Sequence, residues 1–359
     1  MAKAPTDPPP RITTLRELAT ALNVSVATVS MALHNNPEIA QETRRRIQAF
    51  AMENGYRLNP SITTFMSQIR AGHTVAYRET LGWINAFGRE DYFVGEESGT
   101  PPFFRGVWKS AFERAGQLGY QLEPFWLKAP GMSGRRMSAI LKARGIRGLL
   151  IPPIPYLHGH LSLDWSAFAV TAISYTLARP YVHRVELDHH HNMRMALHKL
   201  HHRGYKRIGL LTAHDFDKRT HQRPLSAFYY YQHGIPARHR VPVLACRDDA
   251  LGKQCAAWLK KHRPDAVIMM GICRDLREID IGDPTYSKNL GMALMGGNLA
   301  SSPGFAGVDE NHFLFGPTAV DHLAAQLNRN ERGIPDFPQT VLIKGVWVEG
   351  QTLAKERAR

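Results

Sequence analysis

The sequence predicts a small all-α helix-turn-helix head with a hinge helix, followed by an α/β domain of parallel, doubly wound sheets. Three observations predict it. Two short amphipathic segments flank a tight turn near residue 24. An Asn-Pro pair at 59–60 opens a further amphipathic stretch that stands alone. From Leu81 onward, continuous apolar runs alternate with amphipathic ones, as strands buried on both faces alternate with their crossover helices.

Residues 1–10 contain three consecutive prolines and no apolar core, and read as a disordered tail. From Thr13, the residues Leu15, Leu18, Ala19 and Leu22 fall at i, i+3, i+4 and i+7, one stripe of a helix that Thr13 or Thr14 caps. Asn23 follows, a residue that tolerates the left-handed conformation a sharp turn needs. Ser25 caps a second helix whose inward residues are Val29 and Leu33, and whose outward face carries Val26, Ala27, Ser30 and Met31. Two such helices form the helix-turn-helix unit, whose second helix enters the major groove of DNA. A third helix spans about Gln41 to Asn54, with Ile47, Phe50, Ala51 and Asn54 along one side and Gly55 as its stop. The head thus occupies 11–58. At 59–72, Asn59 caps, Pro60 opens the first turn, and Ile62, Phe65, Met66 and Ile69 make one stripe. So short a helix is marginal alone and needs a partner surface.

Beyond Leu81, strands are expected at 81–87, 120–127, 146–153, 168–175, 207–212, 241–246, 266–271 and 289–297. Helices are expected at about 103–118, 189–203, 219–233, 251–262 and 313–329.

Composition narrows the function classes. The formal charge of +14 suits a polyanionic partner, nucleic acid or an acidic membrane surface. Within 1–72 the excess is modest, eight lysines and arginines against five acidic residues. The N-terminus is not a secretory signal, and no run approaches a membrane span. Cys246, Cys255 and Cys273 have neither the number nor the spacing of a disulfide framework or zinc site, which suits a reducing cytoplasm. His189, His190, His191, His198, His201 and His202 invite a metal, with His198 and His202 at i, i+4, but no Glu or Cys completes a ligand set, and a solvated helix face is the expectation. There is no G-x-S-x-G elbow and no phosphate-binding P-loop. No catalytic residue, metal or cofactor is expected.

The run TTLRELATALNVSVATVSMALHNNPEIAQETRRRIQAFAMENGYRLNP, residues 13–60, resembles the DNA-binding head of the lactose/galactose-repressor (LacI/GalR) family without a gap. The resemblance implies that Val26 and Ala27 read bases, that Thr28 and Ser30 anchor phosphates, and that Thr14, Ser25, Met31, His34, Thr43 and Asn59 complete the DNA-facing set. It implies that paired hinge helices wedge Phe65 into the minor groove of a near-palindromic operator. Three residues depart from the family: Asn23 for the usual glycine, Met31 where an arginine often reads a base, and Ala40 in place of a polar cap.

The segments 101–123, 183–211, 305–311, 319–335 and 341–352 resemble the family's sensor more loosely. They imply an effector-binding and dimerisation domain over 73–359, periplasmic-binding-protein-like, with lobes of about 73–178 plus 306–334 and 179–305 plus 335–359. A small-molecule effector, a sugar or related metabolite, would sit between the lobes against Phe103, Phe104, Arg219, Arg223 and Asp309. With no heptads after Trp347, a homodimer is expected. The resemblance as a whole implies a cytoplasmic, effector-controlled repressor. The competing possibility is a solute-binding protein for transport, which would carry an export signal and no DNA-binding head.

Overall fold

The computed structural model describes residues 15–33, 39–54, 79–94, 101–246, 251–272, 275–296, 299 and 302–354. It divides into two compact units, Met1–Tyr77 and Arg78–Arg359.

In the first unit three helices, α1 (Leu15–Leu22), α2 (Val26–Leu33) and α3 (Gln41–Glu53), enclose a small core. Leu18, Ala19, Val29, Ala32, Ile47 and Ala51 are buried there. Asn23 takes φ 54°, the left-handed turn its side chain tolerates. The Thr28 N–H donates to Ser25 Oγ at 3.0 Å and caps α2. Gln48 Nε2 donates to the Ala32 carbonyl at 2.9 Å and ties α3 to the end of α2. Ala40 precedes α3 with no side-chain cap, as its methyl dictates. The stop at Gly55 and the hinge at 59–72 lie outside the described residues.

The second unit has two lobes, each built on a six-stranded sheet. The first runs β13 (Thr340–Ile343), β7 (His183–Leu187), β5 (Ala169–Ile173), β3 (Gly148–Ile151), β1 (Glu79–Asn85), β2 (Tyr120–Trp126), parallel throughout. The second runs β14 (Val346–Val348), β12 (Ala306–Asp309), β11 (Gly291–Met295), β10 (Ala266–Met270), β8 (Ile208–Ala213), β9 (Leu244–Cys246), with only β14 antiparallel. A small pair, β4 (Gly159–His160) and β6 (Leu177–Arg179), sits beside the first sheet in sequence order. The runs AVTAI, AVIMM and GMALM are buried at every position because helices cover both faces. In the first lobe α4 (Pro102–Gln117) and α11 (Phe315–Asn328) cover one face, and α5 (Gly134–Ala143) covers the other. In the second, α6 (His189–His202) and α8 (Arg223–His233) face α9 (Leu251–His262) across the sheet. Two short helices, α7 (Phe216–Arg219) and α10 (Pro284–Asn289), lie in the connections.

The chain crosses between the lobes three times: from β7 to α6, from β12 to α11, and from β13 to β14. The expected crossings at 178/179, 305/306 and 334/335 fall earlier in the chain. The difference is physical. β7 reads HRVEL, polar to the eye, yet every residue is buried because its polar groups are satisfied. Arg184 donates to the Ser174 and Leu177 carbonyls, and Glu186 Oε1 accepts the Leu187 N–H. The helix expected at 219–233 is broken, since His221 and Gln222 take φ 53° and 57°.

The close seat of α11 on α4 rests on Gly316. A Cβ there would stand 2.4 Å from the Ala111 nitrogen and 2.6 Å from the Val107 carbonyl oxygen, both backbone. We predict that Gly316→Val destabilises this unit by at least about 2 kcal/mol, the scale of overpacking against atoms that cannot rotate away. Urea unfolding followed by tryptophan fluorescence measures it, and an unchanged midpoint would contradict the packing.

Candidate functional site

In the head, the geometry concentrates on α2. With Val29 and Ala32 fully buried beneath it, the opposite face presents Val26, 42% exposed, and Ala27, also exposed, with Thr28, Ser30 and Met31 half-buried beside them. Ser25 and Thr28 hydroxyls lie 2.8 Å apart at the start of the helix. The positive end of the helix dipole and the first free N–H groups therefore sit beside the exposed face, an arrangement that favours phosphate. Thr43 is half-buried in the first turn of α3, next to Arg44 and the exposed Arg45 and Arg46. Thr14, His34, Asn59 and Phe65 lie outside the described residues.

In the second unit a cavity of about 630 Å³ opens between the lobes, at the carboxyl ends of both sheets. The N-terminal turn of α4 brings Phe103 and Phe104, and α7 brings Phe216 and Arg219. The end of β12 brings Asp309 and Glu310. Gly296, at φ 77° just past β11, leaves the space that the Phe216 ring fills, where a Cβ would be 2.7 Å away. Of the expected effector residues, Phe103, Phe104, Arg219 and Asp309 line this cavity. Arg223 does not; its guanidinium lies over the Tyr175 ring, 4.8 Å from the centroid. Arg219 Nη2 donates to the Ile154 carbonyl at 3.1 Å, so it ties the second lobe to the first. Asp309 Oδ1 accepts the Asn311 N–H at 3.0 Å.

A buried charged cluster at the crossings was not anticipated. His189 is 3% exposed rather than solvated, because α6 starts at a crossing between the lobes. Its Nδ1 lies 3.0 Å from Glu310 Oε1, and its Nε2 lies 3.6 Å from Glu186 Oε1. Burial works against a charge on this imidazole, but the Glu310 and Glu186 carboxylates outweigh it and push its pKa up to about 10. Burial likewise opposes ionisation of Glu310, yet the His189 charge and hydrogen bond hold its carboxyl below the usual range. Asn192 Nδ2 also donates to Glu310 Oε1, at 2.9 Å, while its Oδ1 accepts the Gly345 N–H. One side chain on α6 thereby fastens both other crossings. Glu186, His189, Glu310 and His312 all line the cavity. The one local signal was Glu310 standing directly after Asp309 in GVDEN; the partners of His189 are up to 121 residues away. Among the described residues, no group of three or more His, Cys, Asp or Glu is placed to hold a metal ion, and no helix is long and apolar enough to cross a membrane.

The lacI-family model of bacterial regulatory proteins matches residues 14–59. The chain matches no curated relative by sequence. Among solved structures, it is similar to a transcriptional regulator CelR–cellobiose complex, at 17% identity and a TM-score of 0.55 over 95% of this chain and 100% of that one. It is similar to a Lac repressor dimer bound to operator and the anti-inducer ONPF, at 17% identity and 0.53, over 95% and 99%. It is also similar to a LacI family regulator from Enterococcus faecium with bound ribose, at 16% identity and 0.51, over 77% and 100%. Residues 14–59 thus form a helix-turn-helix head that matches the bacterial lacI regulatory family, and in this chain it precedes a two-lobed α/β domain with the fold of LacI-type regulators.

Proposed function

We propose that this chain is a sequence-specific transcription regulator, a cytoplasmic homodimeric repressor whose operator affinity is set by a small molecule bound between the lobes. The observation that carries this is α2: a capped helix whose outward Val26–Ala27 face is free above a buried Val29–Ala32 face, inside the segment that matches the lacI family. A solute-binding protein for transport has no use for such a head, and no enzymatic role is proposed. The similar proteins include one named for cellobiose, one for ribose and one for an operator-bound dimer, which supports the same division of labour here.

In this account Thr28, Ser30 and Thr43 hold phosphates, Val26, Ala27 and Met31 face bases, and the segment 59–72, with Asn59 and Phe65, carries the signal from sensor to operator. Ala27 and Met31 offer no strong hydrogen-bond donors, so base discrimination rests on methyl contacts and on the deformability of the central step. Selection from a randomised library should return near-palindromic sites with half-sites about one helical turn apart, roughly 10 base pairs or a multiple. Met31→Arg should change the preferred half-site. If selection returns no two-fold site, the regulator account fails; if Met31→Arg leaves the half-site unchanged, Met31 does not face bases.

A further inference from the structure

The cavity between the lobes combines rings and carboxylates in a way that restricts what it accepts. Phe103, Phe104, Phe216, Phe313 and Phe315 supply aromatic wall. The ionisable groups among its described lining residues are Glu186, His189, Arg219, Asp309, Glu310 and His312. His189 is cationic, held so by Glu310 and Glu186. Burial, the largest influence on His312, keeps that ring neutral despite Glu310 beside it. Three carboxylates therefore face two cations, and one carboxylate is in excess. Arg219, the only guanidinium among these groups, spends one Nη2 donor on the Ile154 carbonyl.

Glu310 sharpens the point. Its side chain is fully buried, and Oε1 serves His189 and Asn192. Oε2 has no hydrogen-bond partner, and the nearest base, His312 Nε2, stands 3.6 Å away. A buried acceptor left unpaired is costly, and a donor brought into the cavity relieves that cost.

On the regulator account given above, we infer that the effector is a compact ring compound bearing hydroxyl or protonated amine donors, bound against Glu186 and Glu310, and that phosphorylated or carboxylated relatives of it are rejected. The ring lies on the phenylalanine faces, which also favour a nearby ammonium. A phosphate in the same place meets an excess of carboxylate in a partly dry cavity, where like charges repel far more than in water.

The test uses the full chain and calorimetry with matched probes: glucose, glucosamine and glucose 6-phosphate; ribose and ribose 5-phosphate; adenine and adenosine monophosphate. We expect at least one uncharged or amine-bearing probe to bind with a Kd below about 1 mM, and its phosphorylated counterpart to bind at least about tenfold more weakly. Glu310→Gln should narrow that gap to less than about threefold, since it removes the repelling charge at constant volume. Because Glu310 also fastens the lobe crossings, Glu186→Gln is the second variant, with the same narrowing expected. A phosphorylated probe that binds within tenfold of its counterpart overturns the inference, as does a gap unchanged in both variants, or a panel in which no uncharged or amine-bearing probe binds. Selection from a randomised operator library, run without ligand and with each probe, keeps the two claims apart. If a two-fold site is returned under any condition, only the effector chemistry is at fault; if none is returned under any of them, the regulator account itself falls.

Discussion

Replacing Ile47 with aspartate is expected to abolish operator binding while the α/β unit stays folded. Among its described residues the head has six buried hydrophobic residues, and Ile47 is fully enclosed among Leu18, Ala19, Val29, Ala32 and Ala51. A unit of this size has little stability to spare, since a short chain buries a small fraction of its surface. An aspartate at position 47 must either bury a carboxylate with no cation among the described core residues or unfold the head, and the penalty of several kcal/mol is large against the stability of so small a unit. Without the core, α2 has nothing to hold its outward face in place. Operator affinity should fall at least a hundredfold, about 2.7 kcal/mol or more. The second unit has its own four cores, so its thermal transition should not move. Met52→Asp is the control: Met52 lies on the same helix but is 81% exposed, and surface substitutions of that kind change stability by about 0.5 kcal/mol or less. Anisotropy on a selected operator, with calorimetric melts of all three proteins, makes the comparison. An Ile47→Asp protein that still binds within threefold would show that the α2 face is not the reader of DNA.

The second large effect concerns His189. Its imidazole titrates near 10 in the folded chain against about 6.5 in the unfolded one. A pKa raised by folding contributes stability that is whole below pH 6.5 and is lost as pH rises through 10. A shift of that size corresponds to at most about 5 kcal/mol. The α/β unit should therefore be most stable near neutrality and weaken steadily from pH 7 to pH 10. His189→Leu removes the cation and leaves Glu186 and Glu310 buried without it, at a cost of about 3–5 kcal/mol near pH 7. It should also flatten the alkaline slope. Urea unfolding at pH 6.5, 8 and 10 for both proteins reads the two effects together. If the variant loses stability but keeps the full alkaline slope, another group titrates and the ion cluster is not the cause.

What the sequence made legible follows from where each signal was stored. Asn23, Ser25 and the Val29 spacing are local, and the turn, the cap and α2 formed where those residues place them. The helices expected at 103–118 and 313–329 appear as α4 and α11 within two residues, since their stripes are unbroken. α5 was not expected. Its start, GRR, hides a stripe that only Met137 and Leu141 complete. β7 failed for a related reason: hydropathy cannot tell an exposed His-Arg-Glu pattern from a buried one, and its polar partners come from β6, the Ser174 turn and Gln339. In the cavity the same division holds. Phe103 and Asp309 stand at the ends of legible elements, whereas His189 and Glu310 become a pair only when two chain crossings meet.

Those crossings bear on how the protein is made. β13 forms one edge of the first sheet, beside β7, and β14 forms one edge of the second, beside β12. Both are drawn from residues 340–348, joined by Lys344 and Gly345. During synthesis, neither sheet acquires its edge strand until that segment leaves the ribosome, and then both acquire one within a few residues. Until that moment β7 and β12 each present a row of unpaired backbone groups, the template on which chains aggregate. One short segment thus completes both sheets at nearly the same point in synthesis, although each lobe has a sheet and cores of its own.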